Sequence, residues 1–184
     1  MGTEGKVMTN FEYAIPFILE HEGGWCHTPG DSGGETYAGV SRNNFPNWQG
    51  WEIIDSLKSQ PNFPHNLSTH VDLNNLVDKF YQENFWFAFW DQLDKRVSAK
   101  VMDISVNCGI LWGPRILQTA CSATAIDGYI GPRTIALANA MDQDRLLGLM
   151  VTMLDLHYEH IVENHPEDKK FLADWERRAA WIPS

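Results

Sequence analysis

From His21 to Ser41 the chain reads HEGGWCHTPGDSGGETYAGVS, with six glycines and one proline in twenty-one residues. No regular helix can run through such a stretch: glycine loses the most backbone freedom on ordering, and proline removes a helical donor. A tight irregular loop or small hairpin over 30–41 is expected instead. Around it the apolar residues recur at helical spacing, so the fold class is mainly α, with at most a small β-hairpin near residues 30–41.

The helices are legible from their faces and their stops. Thr9 caps the first, and Glu12 three residues on reaches back to complete a capping box. Phe11, Ile15, Ile18 and Leu19 form its apolar face, and Pro16 inside it is expected to kink or shorten it. Gly23 and Gly24 end it, leaving Glu22 on the last turn or just beyond. Residues 42–68, rich in Asn, Pro and Trp, read as surface loop with one short helix near Glu52 to Lys58. A helix capped by Ser68 or Thr69 carries Leu73, Leu76, Val77, Phe80 and Tyr81 toward the aromatic cluster FWFAFW. Helices follow over Val97 to Cys108, from Pro114 to about Ser122, from Pro132 onward, over Arg145 to Asn164, and from Asp168 to Ala180.

At 184 residues the chain is long enough to bury one core without a staple. Eight tryptophans exceed what core filling usually requires, and such an excess either packs inside or lines a groove. The net charge is −10, with eight acids against three bases in residues 1–60. Nucleic acid is therefore excluded as a partner, and long-range steering toward an anionic polymer is also disfavoured, which counts against a cell-wall role. The three cysteines, Cys26, Cys108 and Cys121, lack framework spacing and read as reduced thiols, although one pair stays open. Cys108 and Cys121 lie on apolar faces and read as small buried residues rather than nucleophiles. No apolar run is long enough for a membrane anchor, and the N-terminus shows no basic region followed by an apolar core, so no Sec signal is expected.

The chemistry lies in the glycine-rich stretch. Glu22 working as a general acid needs a raised pKa, which apolar neighbours such as Trp25 and Tyr37 would supply. Asp31 across the loop would orient water or stabilise positive charge, with the Thr36 hydroxyl holding that water. Cleavage of a glycosidic bond asks for such a set: one protonated acid at the leaving oxygen and one ionised carboxylate opposite. Spacing alone leaves the plainer reading open, in which Glu22 ends a helix, Asp31 bonds its own turn and the glycines only punctuate.

The ordered run HEGGW, DSGGETYAGVS, YQENFW, FWDQL, MDISVNCGILWGPRILQ and DGYIGPRT resembles glycoside hydrolase family 108, phage endolysins and bacterial N-acetylmuramidases of lysozyme-like fold. The resemblance covers residues 12 to about 160. It implies a two-lobed helical fold with a catalytic part over 1–93 and a helical, predicted peptidoglycan-binding part over 94–184, packed as one unit. Residue by residue, it places Glu22 on the essential acid of EGG and Asp31 and Thr36 on the Asp and Thr of DxGGxT. Asp103, Asn107 and Gly109 fall on DxxVNxG, and Asp127, Gly128, Gly131 and Pro132 on the C-terminal turn. Trp25, Tyr37, Trp86, Asp103 and Asn107 are the expected substrate-binding residues. Asn107 either satisfies a backbone group or reaches a sugar; Trp86 stays open between core and sugar stacking, and Trp90 is assigned to the core. The chain departs from the family pattern at Trp25, in GVS at Gly39 to Ser41, at Phe85-Trp86, in Cys26-His27 and in its acidity.

The resemblance implies a muramidase that cuts the β-1,4 bond between N-acetylmuramic acid and N-acetylglucosamine, without cofactor or metal, as a monomer. Two alternatives remain: a lytic transglycosylase, and a non-catalytic wall-binding or secretion-associated module. A zinc site from His21, Cys26, His27 and Asp31 is disfavoured because HEGGW is not HExxH; His157 and His160, one turn apart, read as ordinary helix-face histidines. Delivery to the periplasmic wall is expected by holin release or by a secretion machine, and the acidic charge suits a chain held by an immunity or delivery partner.

Overall fold

In the computed structural model of the chain, which describes residues 7–27 and 33–184, the capping box at Thr9 closes in both directions. The Glu12 amide donates to Thr9 Oγ1 at 3.1 Å, and the Thr9 amide donates to Glu12 Oε2 at 2.9 Å. Helix α1 then runs Asn10–Glu22, unbroken at the exposed Pro16. Gly23 stops it with φ +75, a conformation that costs glycine nothing. The described residues form two compact units, one over Ile15–Asn84 and one comprising those up to Ala14 together with Phe85–Ser184.

In the first unit the glycine-rich stretch is a three-stranded antiparallel sheet, β1 (Trp25–His27), β2 (Glu35–Tyr37) and β3 (Val40–Ser41), in that order. The sheet thus begins earlier than the hairpin read from residues 30–41. Trp25 pairs with Tyr37, His27 with Glu35, and Tyr37 with Val40. The turn from β2 to β3 is the dipeptide Ala38-Gly39, with φ +46 and +78, the left-handed pair that a two-residue hairpin requires. Along β2, Glu35 and Tyr37 are buried while Thr36 faces the other way, half-buried.

Helix α2 (Gly50–Leu57) starts two residues before the expected short helix, and the region 42–68 is not all surface. Trp51, Ile54 and Leu67 are buried there, because aromatic and branched side chains in a loop anchor it to a core. Helix α3 (Val71–Phe85) buries Leu73, Val77, Phe80 and Tyr81. Its first turn is capped by His70, whose Nδ1 accepts from the Leu73 amide at 3.3 Å, rather than by Ser68 or Thr69. The Ser68 carbonyl instead accepts from Asn74 Nδ2 at 2.9 Å.

The second unit is built on α4 (Lys95–Cys108), of which every residue from Val97 to Ser105 is buried. Asp94 caps it by accepting from the Arg96 amide at 2.9 Å. It packs against α5 (Trp112–Ala120) and α7 (Gln143–Asn164); α6 (Pro132–Asn139) and α8 (Leu172–Ala179) also pack on α7. Gly113 lets α5 lie close on α4, since a Cβ there would strike the Val101 carbonyl oxygen and Ser105 Oγ. Lys100, wholly buried, donates to the carbonyls of Ala179 at 2.9 Å and Trp181 at 2.8 Å, closing the end of α8. Among the described residues no helix is long and apolar enough to cross a membrane.

Candidate functional site

Glu22 is the last residue of α1 and half-buried, so its position follows from where Gly23 breaks the helix. The hairpin turn lies against its side chain. A Cβ built on Gly39 would be 3.0 Å from Glu22 Oε2 and 3.2 Å from its Cγ, and would collide with the Tyr81 hydroxyl. Only a glycine fits, both because φ is +78 and because the space is taken. The Tyr81 hydroxyl, buried, donates to the Ala38 carbonyl at 2.9 Å, which holds a non-glycine residue in the left-handed region. Such strain, of order 1–2 kcal/mol, persists only where neighbours over-determine it. Carboxyl, phenol and bare backbone are thus assembled from α1, α3 and the β2–β3 turn.

A second group fixes the sheet. The Glu35 carboxylate is buried, accepts from Trp25 Nε1 at 2.7 Å, and pairs with Arg42 Nε at 2.8 Å and Lys58 Nζ at 2.9 Å. Arg42 and Lys58 are also shared with Asp55, at 2.7 Å each. Burial pushes the Glu35 pKa up, but the Trp25 N–H, Lys58 and Arg42 outweigh it and hold the carboxyl below its ordinary value. It therefore stays ionised and orients the Trp25 indole, which also packs edge-on against Phe63 at 4.8 Å.

Of the residues expected at the site, Asp31 lies outside the described residues. Thr36 is on β2, its hydroxyl 3.5 Å from the Gly34 carbonyl. Tyr37 is buried, which raises its pKa, and its hydroxyl lies 3.5 Å from Asn74 Oδ1. Trp25 stands against Glu35 and Phe63. Trp86, Asp103 and Asn107 belong to the second unit. Trp86 is buried between Phe11 and Trp90, at 5.5 Å from each ring, and its N–H donates to Asp91. Trp90 is buried as assigned. Asp103 is buried on α4, 3.0 Å from Arg178 Nε and 3.5 Å from Lys100 Nζ. Asn107 is exposed, and its amide nitrogen donates to the Tyr158 hydroxyl.

The DGYIGP turn is held by a buried glutamine. Gln118 donates to Asp127 Oδ1 at 2.8 Å and to the Tyr129 carbonyl at 3.0 Å, and accepts from the Gly128 amide at 2.9 Å. His157 packs tilted against Trp112, ring centroids 3.7 Å apart, and His160 lies beside Asn164. Cys26 is exposed, Cys108 half-buried and Cys121 buried, and burial pushes the latter two thiols up.

Tyr81, Gly39 and Glu35, which fix the surroundings of Glu22 and Trp25, are the residues that the sequence pattern did not single out. Tyr81 reads as one more apolar residue of an amphipathic helix, and its partner is 43 positions away. A signal for Gly39 exists in the two-residue spacing between TY and VS, which a hairpin turn would occupy.

Comparison with curated proteins found no match. Among solved structures, that of Brucella abortus SagA shares the fold, with a TM-score of 0.59 and 21% identity over 92% of each chain. The fold is accordingly mainly α and lysozyme-like. Residues 108–180 match the family described as Predicted Peptidoglycan domain, which makes peptidoglycan the substrate to consider. Residues 15–109, just over half the chain and including Glu22, Thr36 and the Gly39–Tyr81 contact, match Glycosyl hydrolase 108, and the chain belongs to that glycoside hydrolase family.

Proposed function

We propose that the protein hydrolyses the β-1,4 bond between N-acetylmuramic acid and N-acetylglucosamine in peptidoglycan, with Glu22 as the general acid. The observation that carries this reading is the fitting of the Glu22 carboxyl against a glycine turn pinned by Tyr81. A half-buried side chain packed against a turn that a buried hydrogen bond fixes has few geometries open to it, and proton transfer to a leaving oxygen needs a fixed geometry.

In this mechanism Glu22 delivers its proton to the glycosidic oxygen as the bond breaks. Asp31, by its place in the DxGGxT motif, stays ionised and positions water or steadies the oxocarbenium-like centre. The Thr36 hydroxyl, only loosely engaged with Gly34, is available to hold that water. Trp25, oriented by Glu35, offers an aromatic face to sugar. For Trp86 and Asp103, burial among protein partners supports a structural role.

The test is Glu22→Gln assayed on purified sacculi. Muropeptide release should fall by at least a thousandfold while the thermal midpoint stays within about 2 °C, as expected for a half-exposed isosteric change. Mass spectrometry of wild-type products should show reducing ends; 1,6-anhydro ends would make the enzyme a lytic transglycosylase. Unchanged lysis by the variant would remove Glu22 from the chemistry.

A further inference from the structure

Within residues 15–84, a groove of about 450 Å³ is lined by Ile15, Leu19, Tyr37, Asn74, Val77 and Asp78, together with Gly23 and Gly24, the two residues after Glu22. Its walls are mostly hydrocarbon. The Asn74 amide is already engaged, donating to the Ser68 carbonyl at 2.9 Å and lying 3.5 Å from the Tyr37 hydroxyl. Asp78 is different: half-buried, it has among the described residues no hydrogen bond or ion pair, and burial pushes its carboxyl up. A carboxyl partly withdrawn from water and without a partner leaves its charge uncompensated, and in a groove it is a place where a cationic ligand can supply the missing partner.

The charge balance names that ligand's chemistry. Residues 15–84 carry nine acids and three bases. Arg42 and Lys58 are held by Glu35 and Asp55, and Lys79 lies 3.7 Å from Glu83. No base of this unit is left for Asp78, so the groove complements a cation carried on an aliphatic arm. We propose that the groove binds the side-chain ammonium of the diamino-acid residue in the peptidoglycan stem peptide, with Asp78 as its counter-ion and Ile15, Leu19 and Val77 against its methylenes. This deepens the reading of peptidoglycan as the substrate and rests on it. It also explains how a chain of net charge −10 engages an anionic polymer: it addresses the polymer's amines rather than its carboxylates.

The experiment is an NMR titration of the full chain with a soluble stem peptide bearing the free amine, beside the same peptide acetylated on that amine. The free-amine peptide should move the signals of Gly23, Gly24, Asn74 and Asp78, and the acetylated one should bind roughly tenfold more weakly, as loss of a charged hydrogen bond implies. Asp78→Asn, which keeps the shape and the hydrogen-bonding capacity, should bring the free peptide down to the acetylated level and leave the acetylated peptide unaffected. Equal binding of the two peptides, an Asp78→Asn variant that keeps the preference, or no shift at millimolar peptide would overturn the proposal. Because the titration reads no bond cleavage, it is independent of sacculus lysis: lysis without amine preference sinks only this inference, and amine preference without lysis sinks only the muramidase reading.

Discussion

Replacing Gly39 with alanine tests the geometry at its tightest point. The new Cβ would sit 3.0 Å from Glu22 Oε2 and 3.2 Å from Glu22 Cγ and run into the Tyr81 hydroxyl, on a residue whose φ is +78. Placing an L-residue in the left-handed region costs about 1–2 kcal/mol. Forcing a methyl into filled space costs roughly 1–3 kcal/mol more, because neighbours must leave their rotamers. We therefore expect Gly39→Ala to lower unfolding free energy by about 2–5 kcal/mol in urea titrations. Whatever stability remains, Glu22 must yield by tenths of an ångström, and kcat for muropeptide release should fall by about a hundredfold, with KM less affected. The steric part is shared with Tyr81, so Tyr81→Phe, which removes the clashing oxygen, should recover part of the loss. That double variant should be less destabilised than the two single changes combined, by about 1 kcal/mol or more. Wild-type stability in Gly39→Ala, or strict additivity with Tyr81→Phe, would refute this packing of carboxyl, turn and phenol.

Glu35→Gln removes the charge that Arg42 and Lys58 share, and since both bases are partly exposed the expected loss is about 2 kcal/mol rather than the full cost of a broken buried pair, read by denaturant midpoint. Glu35 and Asp55 are both held below their ordinary values of 4.5 and 3.8, so the unfolded chain takes up protons first and their contribution disappears as pH falls through and below that range; thermal midpoints from pH 6 to 3 should drop, less steeply in Glu35→Gln. Lys100→Met leaves the Ala179 and Trp181 carbonyls without their donor and should cost about 2–4 kcal/mol, visible as faster amide exchange over 172–184. A thiol reagent should modify Cys26 quickly in the native protein and Cys108 and Cys121 only on unfolding, as mass spectrometry of the labelled peptides would show.

Much of the architecture follows from neighbours a few residues apart. The Thr9–Glu12 capping box, the stops at Gly23 and Gly109, the opening of α6 at Pro132 and the apolar stripes of α3, α4 and α7 are all set within one or two helical turns. The same locality explains the errors. Ser68 and Thr69 are good capping residues, but their hydroxyls donate to the carbonyls of His65 and Asn66, and the cap of α3 falls to His70. Residues 42–68 look polar as a stretch, and their anchoring by Trp51 and Ile54 emerges only when a core exists to receive them.

The candidate site divides along the same line. Local sequence sets Glu22 at a helix end, two glycines after it, and a two-residue hairpin turn at Ala38-Gly39, because these depend on backbone preferences that each residue carries wherever it stands. That Tyr81 reaches back 43 residues to pin the turn, that Glu35 is paired with Arg42 and Lys58, and that Asp103 is engaged by Arg178 are matters of long-range packing. Side chains of identical type are interchangeable in a pattern; burial, which removes water and leaves each polar group only the partners the fold brings to it, is what tells them apart.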